Sequence, residues 1–212
     1  MKLYSYFRSS AAYRVRIALA LKGLEYDYVP VHLTKGEQRA DGYRGLNPQA
    51  LVPALVHERR TLTQSLAIIE YLDESHPRPP LLPSTREERA RVRAIALSIA
   101  CDIHPLNNLR VLQYLVRTVG ASEDAKNEWY RHWIEVGLSA LEAQLAADPE
   151  TGTFCHGETP TLADICLVPQ LANARRYGIP LDAYPTLLRI DSKCNELAPF
   201  IAAAPELQPD AV

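Results

Sequence analysis

The segment Phe7-Arg8-Ser9-Ser10 sets two adjacent hydroxyls and a guanidinium where a strand-like run gives way to a helical pattern. A turn of that kind presents unpaired backbone N–H groups and the positive end of a helix dipole, which favour an anion, thiolates included. A serine hydroxyl adds one hydrogen bond that stabilises the thiolate over the thiol. Serine is also an ordinary helix cap, and the pair alone does not separate the two roles. Two further segments bear on the choice. In Leu51-Val52-Pro53-Ala54 a proline precedes a strand-like run. A cis Val52–Pro53 bond would leave the Val52 backbone able to pair with an extended, peptide-like ligand, whereas a trans proline would simply open the strand. Gln64-Ser65 begins a helical pattern and offers an amide, a hydroxyl and first-turn N–H groups, either to a carboxylate or as a cap. Together these three segments describe a groove for a small peptide bearing a terminal carboxylate and a thiol. No cysteine lies between Ser9 and Ala12, which argues against thiol–disulfide exchange by the protein, so the thiol belongs to the ligand.

The elements that must position these residues follow from periodicity. Leu3–Phe7 predicts a buried strand, and Ala11, Val15, Ala18 and Leu19 fall on one face of a helix, with Arg14, Arg16 and Lys22 off that face. Gly23 suits the helix end. Tyr26–Val31 predicts a strand that Pro30 confines to a sheet edge. An irregular helix lies within Thr34 to Pro48, and two short strands, Ala54–His57 and Thr61–Thr63, flank the turn Glu58-Arg59-Arg60. Ser65, Ile68, Ile69 and Leu72 give the stripe of a helix over Gln64–Glu74. The order βαβαββα implies a parallel pair with an antiparallel hairpin added, an α/β thioredoxin-like layout.

From His76 to Pro83 four prolines predict a stiff linker, and beyond it the pattern is helical throughout. Val92, Ile95, Ala96, Ile99 and Ile103 form an apolar stripe that breaks near Pro105. Trp129, Trp133, Val136, Ala140 and Leu141 mark a second long helix. Thr161 and Asp164 have capping-box spacing and open a third that runs to about Tyr177. The expected domains are therefore 1–76, thioredoxin-like; 77–85, linker; and 86–212, all-α. The arginines Arg86, Arg89, Arg91 and Arg93 are expected on a solvated helix face.

With 47% hydrophobic and 23% charged residues over 212 positions, the composition is that of a soluble globular chain. A net charge of -2 gives no strong pull on nucleic acid or an anionic membrane. No apolar leader or membrane-length run is present, and Cys101, Cys155, Cys166 and Cys194 show no metal-ligand spacing. Free buried thiols in a reducing, cytoplasmic setting are expected, with no metal.

Tyr4-Ser5-Tyr6-Phe7-Arg8-Ser9-Ser10, followed by Arg14-Val15-Arg16-Ile17-Ala18-Leu19, closely resembles the zeta-class glutathione transferases, the maleylacetoacetate isomerases. The likeness extends through Leu46-Asn47-Pro48, Val52-Pro53, Gln64 to Leu72, and Leu162-Ala163-Asp164 to Val168-Pro169-Gln170, nearly the whole chain. The resemblance implies a glutathione-transferase-like fold, glutathione as cofactor, a homodimer, and isomerisation of maleylacetoacetate to fumarylacetoacetate in tyrosine catabolism. It assigns Ser9, with Ser10 beside it, to the thiolate, Val52 to the cysteinyl backbone of glutathione, and Gln64 and Ser65 to its γ-glutamyl end. The family's cysteine after the serine pair is Ala11 here, so no cysteine can assist at that position.

The reaction the resemblance implies begins with reversible thiolate addition to a cis double bond conjugated to a carbonyl. Rotation and elimination then release the trans isomer with glutathione regenerated. Keto-diacid substrates call for planar, bidentate cations. The resemblance supports Arg8, next to the serine turn and counted among the catalytic groups, and Arg176. The run His104-Pro-Leu-Asn-Asn108-Leu-Arg110 is similar to that of bacterial members, and it adds His104 and Asn108 as cofactor contacts and Arg110 as a substrate contact. Three other readings stand beside this one: maleylpyruvate as substrate, conjugation or dehalogenation of small α-haloacids, and a non-enzymatic glutathione-binding scaffold.

Overall fold

The computed structural model describes residues 1–211, which separate into two compact units. The first contains Met1–Leu81 and the segment that starts at Asn195; the second is Leu82–Cys194.

In the first unit the order is β1 (Lys2–Ser5), α1 (Ser10–Leu21), β2 (Asp27–Pro30), α2 (Asp41–Leu46), β3 (Ala54–His57), β4 (Arg60–Thr63) and α3 (Ser65–Ser75). The sheet order is β2-β1-β3-β4. β1 and β2 are parallel, with Leu3 opposite Tyr28, while β3 is antiparallel to both β1 and β4. This is the expected thioredoxin-like βαβαββα arrangement, and β2, carrying Pro30, lies at an edge. α1 packs against α3 and against α9 (Ala198–Ala202), which follows α8 (Pro185–Cys194). On α3 the buried residues are Ser65, Ile68, Ile69 and Leu72, the stripe that periodicity predicts.

α1 departs from a one-sided amphipathic helix. Every residue from Ala12 to Leu19 is buried, including Arg14 and Arg16 at 2% and 1% exposure. The arginines and Lys22, expected away from the core, lie inside it because α1 has neighbours on several sides. Lys22 meets a carboxylate there: its Nζ donates to Asp73 at 2.6 Å and to the His76 carbonyl at 2.7 Å. Asp73 also accepts from the Leu81 amide, so the start of the proline-rich linker is fastened to this unit.

The second unit is helical: α4 (Arg86–Leu97), α5 (Leu109–Tyr114), α6 (Glu123–Ala147), α7 (Leu162–Arg176) and α8. α4 runs into a π-helical stretch, Ser98–Ile103, and a 3₁₀ turn, His104–Asn107, where the break near Pro105 is expected. α7 begins with a full capping box. The Asp164 carboxylate accepts from the Thr161 amide and hydroxyl and from the Cys155 amide, all within 2.9 Å. On α6 the buried stripe is Tyr130, Ile134, Leu138, Leu141 and Leu145. The tryptophans and Val136 sit on its flank and outer side, because the flanking Tyr, Ile and Leu at the same helical spacing define the stripe that packs inward.

Two expectations are corrected, and beside them the residues from Asn195 cluster by contact with the first unit. Cys101 is exposed, on the outer side of the π-helical stretch, while Cys155, Cys166 and Cys194 are buried; all four are free. Arg91 leaves the solvated face, its Nε lying 2.8 Å from Asp148 Oδ2 and its Nη groups donating to Cys155 and Thr151. The loop from Asp148 to His156 supplies these partners, which no local pattern around Arg91 encodes.

Candidate active site

Ser9 is the N-cap of α1, with extended backbone (φ -75, ψ 113), and its Oγ accepts from the Ala12 amide at 3.2 Å. The Tyr13 amide donates to the Ser9 carbonyl at 2.8 Å, starting the helix. Capping and thiolate stabilisation are compatible here. Accepting from Ala12 uses an oxygen lone pair, and the hydroxyl keeps its proton to donate elsewhere. Ser10 follows as the first helical residue and is buried, whereas Arg8 is exposed, its guanidinium 4.9 Å from the Phe7 ring centroid.

α3 begins in a related way. Gln64 is its N-cap but makes no side-chain cap bond, and its backbone sits at φ 69, ψ 115. A positive φ is costly for a residue with a Cβ and marks a position held by its surroundings. The Gln64 Nε2 donates to Gln49 Oε1 at 3.0 Å, and the buried Ser65 accepts from Arg14 at 3.4 Å.

Neither α1 nor α3 has an acidic side chain in its first turn. In α4, α6 and α7 the same positions hold Glu87 and Glu88, Glu123 and Asp124, and Asp164. Those acids offset the positive end of each dipole; Glu142 does so for α8 by accepting from the Thr186 and Leu187 amides, the short α5 and α9 have no first-turn acid either, and the ends of α1 and α3 are open to an outside anion. A thiolate at one end and a carboxylate at the other is the charge pattern that glutathione carries.

The segment between them is also prepared. Val52 is buried, the Val52–Pro53 bond is cis, and the β3 ladder starts only at Ala54. The preceding Leu51 carbonyl accepts from the Tyr43 hydroxyl at 2.6 Å and from Asn47 Nδ2 at 2.8 Å. Burial pushes the Tyr43 phenol up to about 12, so it stays a donor at neutral pH. Arg16 anchors the serine turn from below, donating to the Phe7 carbonyl, to Ser5 Oγ and to the Ala203 carbonyl.

Thus one unit brings together Arg8, Ser9, Ser10, Val52, Gln64 and Ser65. His104, Asn108, Arg110 and Arg176 all belong to the other. His104 opens the 3₁₀ turn, and Asn108 caps α5 by accepting from the Arg110 amide at 3.1 Å. Arg110 and Arg176 are exposed. Tyr130 tethers both regions: its carbonyl accepts from Asn107, its ring stacks 3.6 Å from Tyr177, and Arg176 lies 5.2 Å from the Tyr177 ring centroid.

Sequence reasoning missed the supports: Arg14, Arg16, Tyr43, Asn47, Tyr130 and the C-terminal segment. One signal for the arginines was present. Apolar residues at positions 12, 13, 15, 17, 18 and 19 cover more than one helical face, which marks a helix buried all round. The C-terminal contacts have no local signal.

A thioredoxin-like unit with an uncompensated helix N-terminus at a serine pair, followed in sequence by a helical unit, defines a glutathione-transferase type of protein. Residues 1–74 match the model for the glutathione S-transferase N-terminal domain, and residues 134–203 match that for the C-terminal domain. A maleylpyruvate isomerase structure, described as a bacterial glutathione S-transferase of the zeta class, is 51% identical with a TM-score of 0.98, covering 100% of both chains. The structure of a maleylacetoacetate isomerase from Methylobacterium extorquens, bound to malonate and glutathione, is 40% identical with a TM-score of 0.98, again over 100% of both chains. A probable maleylacetoacetate isomerase from Vibrio cholerae is 51% identical over 99% of this chain and 97% of its own. The chain belongs to the zeta class of the glutathione S-transferase family.

Proposed function

We propose that this chain catalyses the glutathione-dependent cis–trans isomerisation of maleylacetoacetate to fumarylacetoacetate. The observation that carries the reading is the Ser9 cap of α1 together with the positive-φ Gln64 start of α3 and the cis Val52–Pro53 bond between them, in a chain whose relatives are isomerases of maleyl keto-diacids. Glutathione, when bound, supplies a thiolate that adds reversibly to the conjugated cis double bond, allowing rotation before it leaves. The protein's own work is to hold that sulfur ionised and to place the diacid.

Ser9 donates its hydroxyl proton toward the thiolate while its oxygen stays fixed by the Ala12 amide. The first-turn amides of α1, with Ser10, add the dipole's positive end. The Val52 backbone pairs with the cysteinyl backbone, and Gln64 and Ser65 take the γ-glutamyl carboxylate, with His104 and Asn108 as further cofactor contacts. Arg8, Arg110 and Arg176 are assigned to the substrate carboxylates, and the positive charge also stabilises the enolate that addition develops. The enzyme works as a homodimer in the cytoplasm, a reading supported by family membership and by four free cysteines. No helix among the described residues is long and apolar enough to cross a membrane.

Maleylpyruvate, one methylene shorter, is the second reading, favoured by the full-length 51% match to a maleylpyruvate isomerase. Purified enzyme with glutathione, assayed on both maleyl substrates, decides between them through kcat/KM. Ser9→Ala should act mainly on kcat and Arg176→Ala mainly on KM. Turnover of α-haloacids far above either isomerisation would overturn the assignment, and so would isomerisation indifferent to glutathione.

A further inference from the structure

The chain's last segment leaves the helical unit and returns to the serine turn, where it supplies partners that the turn lacks locally. Past α9, the Ala203 carbonyl accepts from Arg16 Nε at 3.0 Å, and the same guanidinium donates through Nη2 to the Phe7 carbonyl at 3.2 Å. Gln208 Nε2 donates to the Ala202 and Ala204 carbonyls, folding the segment back on the end of α9. This brings Asp210 to the other side of Phe7. Its Oδ2 accepts from the Phe7 amide at 3.1 Å, and its Oδ1 accepts from the Tyr28 hydroxyl at 2.5 Å.

Phe7 lies two residues before Ser9, beyond the end of β1 and ahead of α1. It is 4% exposed, so its peptide groups need partners within the protein. The C-terminal segment provides them: Asp210 directly for the N–H, and Arg16, itself bonded to Ala203, for the C=O. The next bond in the turn, from the Ser9 amide to the Tyr6 carbonyl at 2.9 Å, starts from the position so fixed.

We propose that Asp210 is a positioning residue for Ser9: by bridging the Phe7 amide and the Tyr28 hydroxyl of β2, it sets the turn from which the serine hydroxyl points. The inference rests on the reading of the serine turn as the glutathione thiolate site. Asp210 acts through Phe7, and a charge-assisted bond is stronger and less easily replaced by water than a neutral one.

The test uses full-length Asp210→Ala, Asp210→Asn and Tyr28→Phe proteins. In Asp210→Ala, without ligand, amide hydrogen exchange in segment 6–10 should rise about tenfold, the scale set by one charge-assisted hydrogen bond. With glutathione bound, the thiol pKa, followed by thiolate ultraviolet absorbance, should move up toward its value in water. At neutral pH kcat should fall about tenfold, recover at alkaline pH as the thiolate re-forms, and leave KM for the diacid nearly unchanged. Asp210→Asn keeps one neutral oxygen that can accept from Phe7 and should recover part of the loss, falling between Asp210→Ala and wild type. Wild-type exchange in segment 6–10 with an unshifted thiol pKa in Asp210→Ala would overturn the proposal, even if its Tm fell, because Asp210 would then only fasten the tail. Should Asp210→Ala fail to fold, Tyr28→Phe carries the same readouts, with a smaller rise expected and no change fatal. A wild-type protein that does not bind glutathione would sink the isomerase reading instead, and the exchange experiment on the free protein separates the two failures.

Discussion

Arg14 Nη1 donates to Ser65 Oγ at 3.4 Å, so the helix that starts at the serine pair reaches the first residue of the helix assigned to the γ-glutamyl carboxylate. Both groups are buried, Arg14 at 2% and Ser65 at 7% exposure. The two helices whose starts are proposed to face the anions of glutathione are therefore joined by a side chain from the core.

Ser9→Ala removes a cap and the proposed thiolate donor together. The lost bond to the Ala12 amide should cost about 1 kcal/mol of stability. Loss of the donor should lower kcat by roughly a hundredfold, comparable to removing one preorganised donor from an oxyanion site. Thermal unfolding and steady-state kinetics on the same sample check both. A stability loss with intact kcat would leave Ser9 as a cap only.

Gln64→Gly tests whether backbone strain serves binding. Glycine accepts φ 69 without the Cβ penalty, so the variant should unfold no more readily than wild type. Without the side-chain amide, glutathione affinity should drop about tenfold, the worth of one good hydrogen bond to a charged group. Chemical denaturation and calorimetric titration give the two numbers. Equal affinity would free Gln64 of its assigned role.

Arg16→Met should be far more damaging than its sequence position suggests. The guanidinium serves the Ser5 hydroxyl and the Phe7 and Ala203 carbonyls, and all three would lose a donor inside the protein. Each unsatisfied buried group costs about 1–3 kcal/mol, so a loss of at least ~3 kcal/mol is expected. Arg16→Lys should recover little of it, since an ammonium cannot span three fixed acceptors in a plane. Denaturant midpoints for both variants provide the check.

Acid stability should depend on the second unit's carboxylates. The Arg91 guanidinium, with a bond from the Glu150 amide, holds the Asp148 carboxyl below its ordinary 3.8. The Thr85 hydroxyl and amide lower Glu88, and those of Thr153 lower Glu158. A carboxyl depressed in the folded state stabilises it fully above the unfolded pKa and loses that contribution as pH falls through the folded one. Tm should therefore decline as pH drops below about 4. In Asp148→Asn, the Tm deficit relative to wild type should be present at neutral pH and shrink in acid. A deficit that stays constant with pH would exclude the linkage.

The chain itself determined every element built from near neighbours. The apolar run at Leu3–Phe7, the Ser65-Ile68-Ile69-Leu72 stripe, the Thr161–Asp164 box, the proline break near Pro105 and the serine pair at a strand–helix turn are all written in spacings of a few residues. Backbone geometry and capping act over that same distance. Only the tertiary structure decided which groups Arg14 and Arg16 bond in the core, that Tyr130, Ile134 and Leu138 rather than the tryptophans face inward on α6, and that residues from Asn195 rejoin the first unit. Asp210 and Phe7 are 203 positions apart in the chain and 3.1 Å apart in the fold. Such a pairing is set by how packed elements deliver the chain ends, which depends on every intervening contact and has no period for a sequence to display.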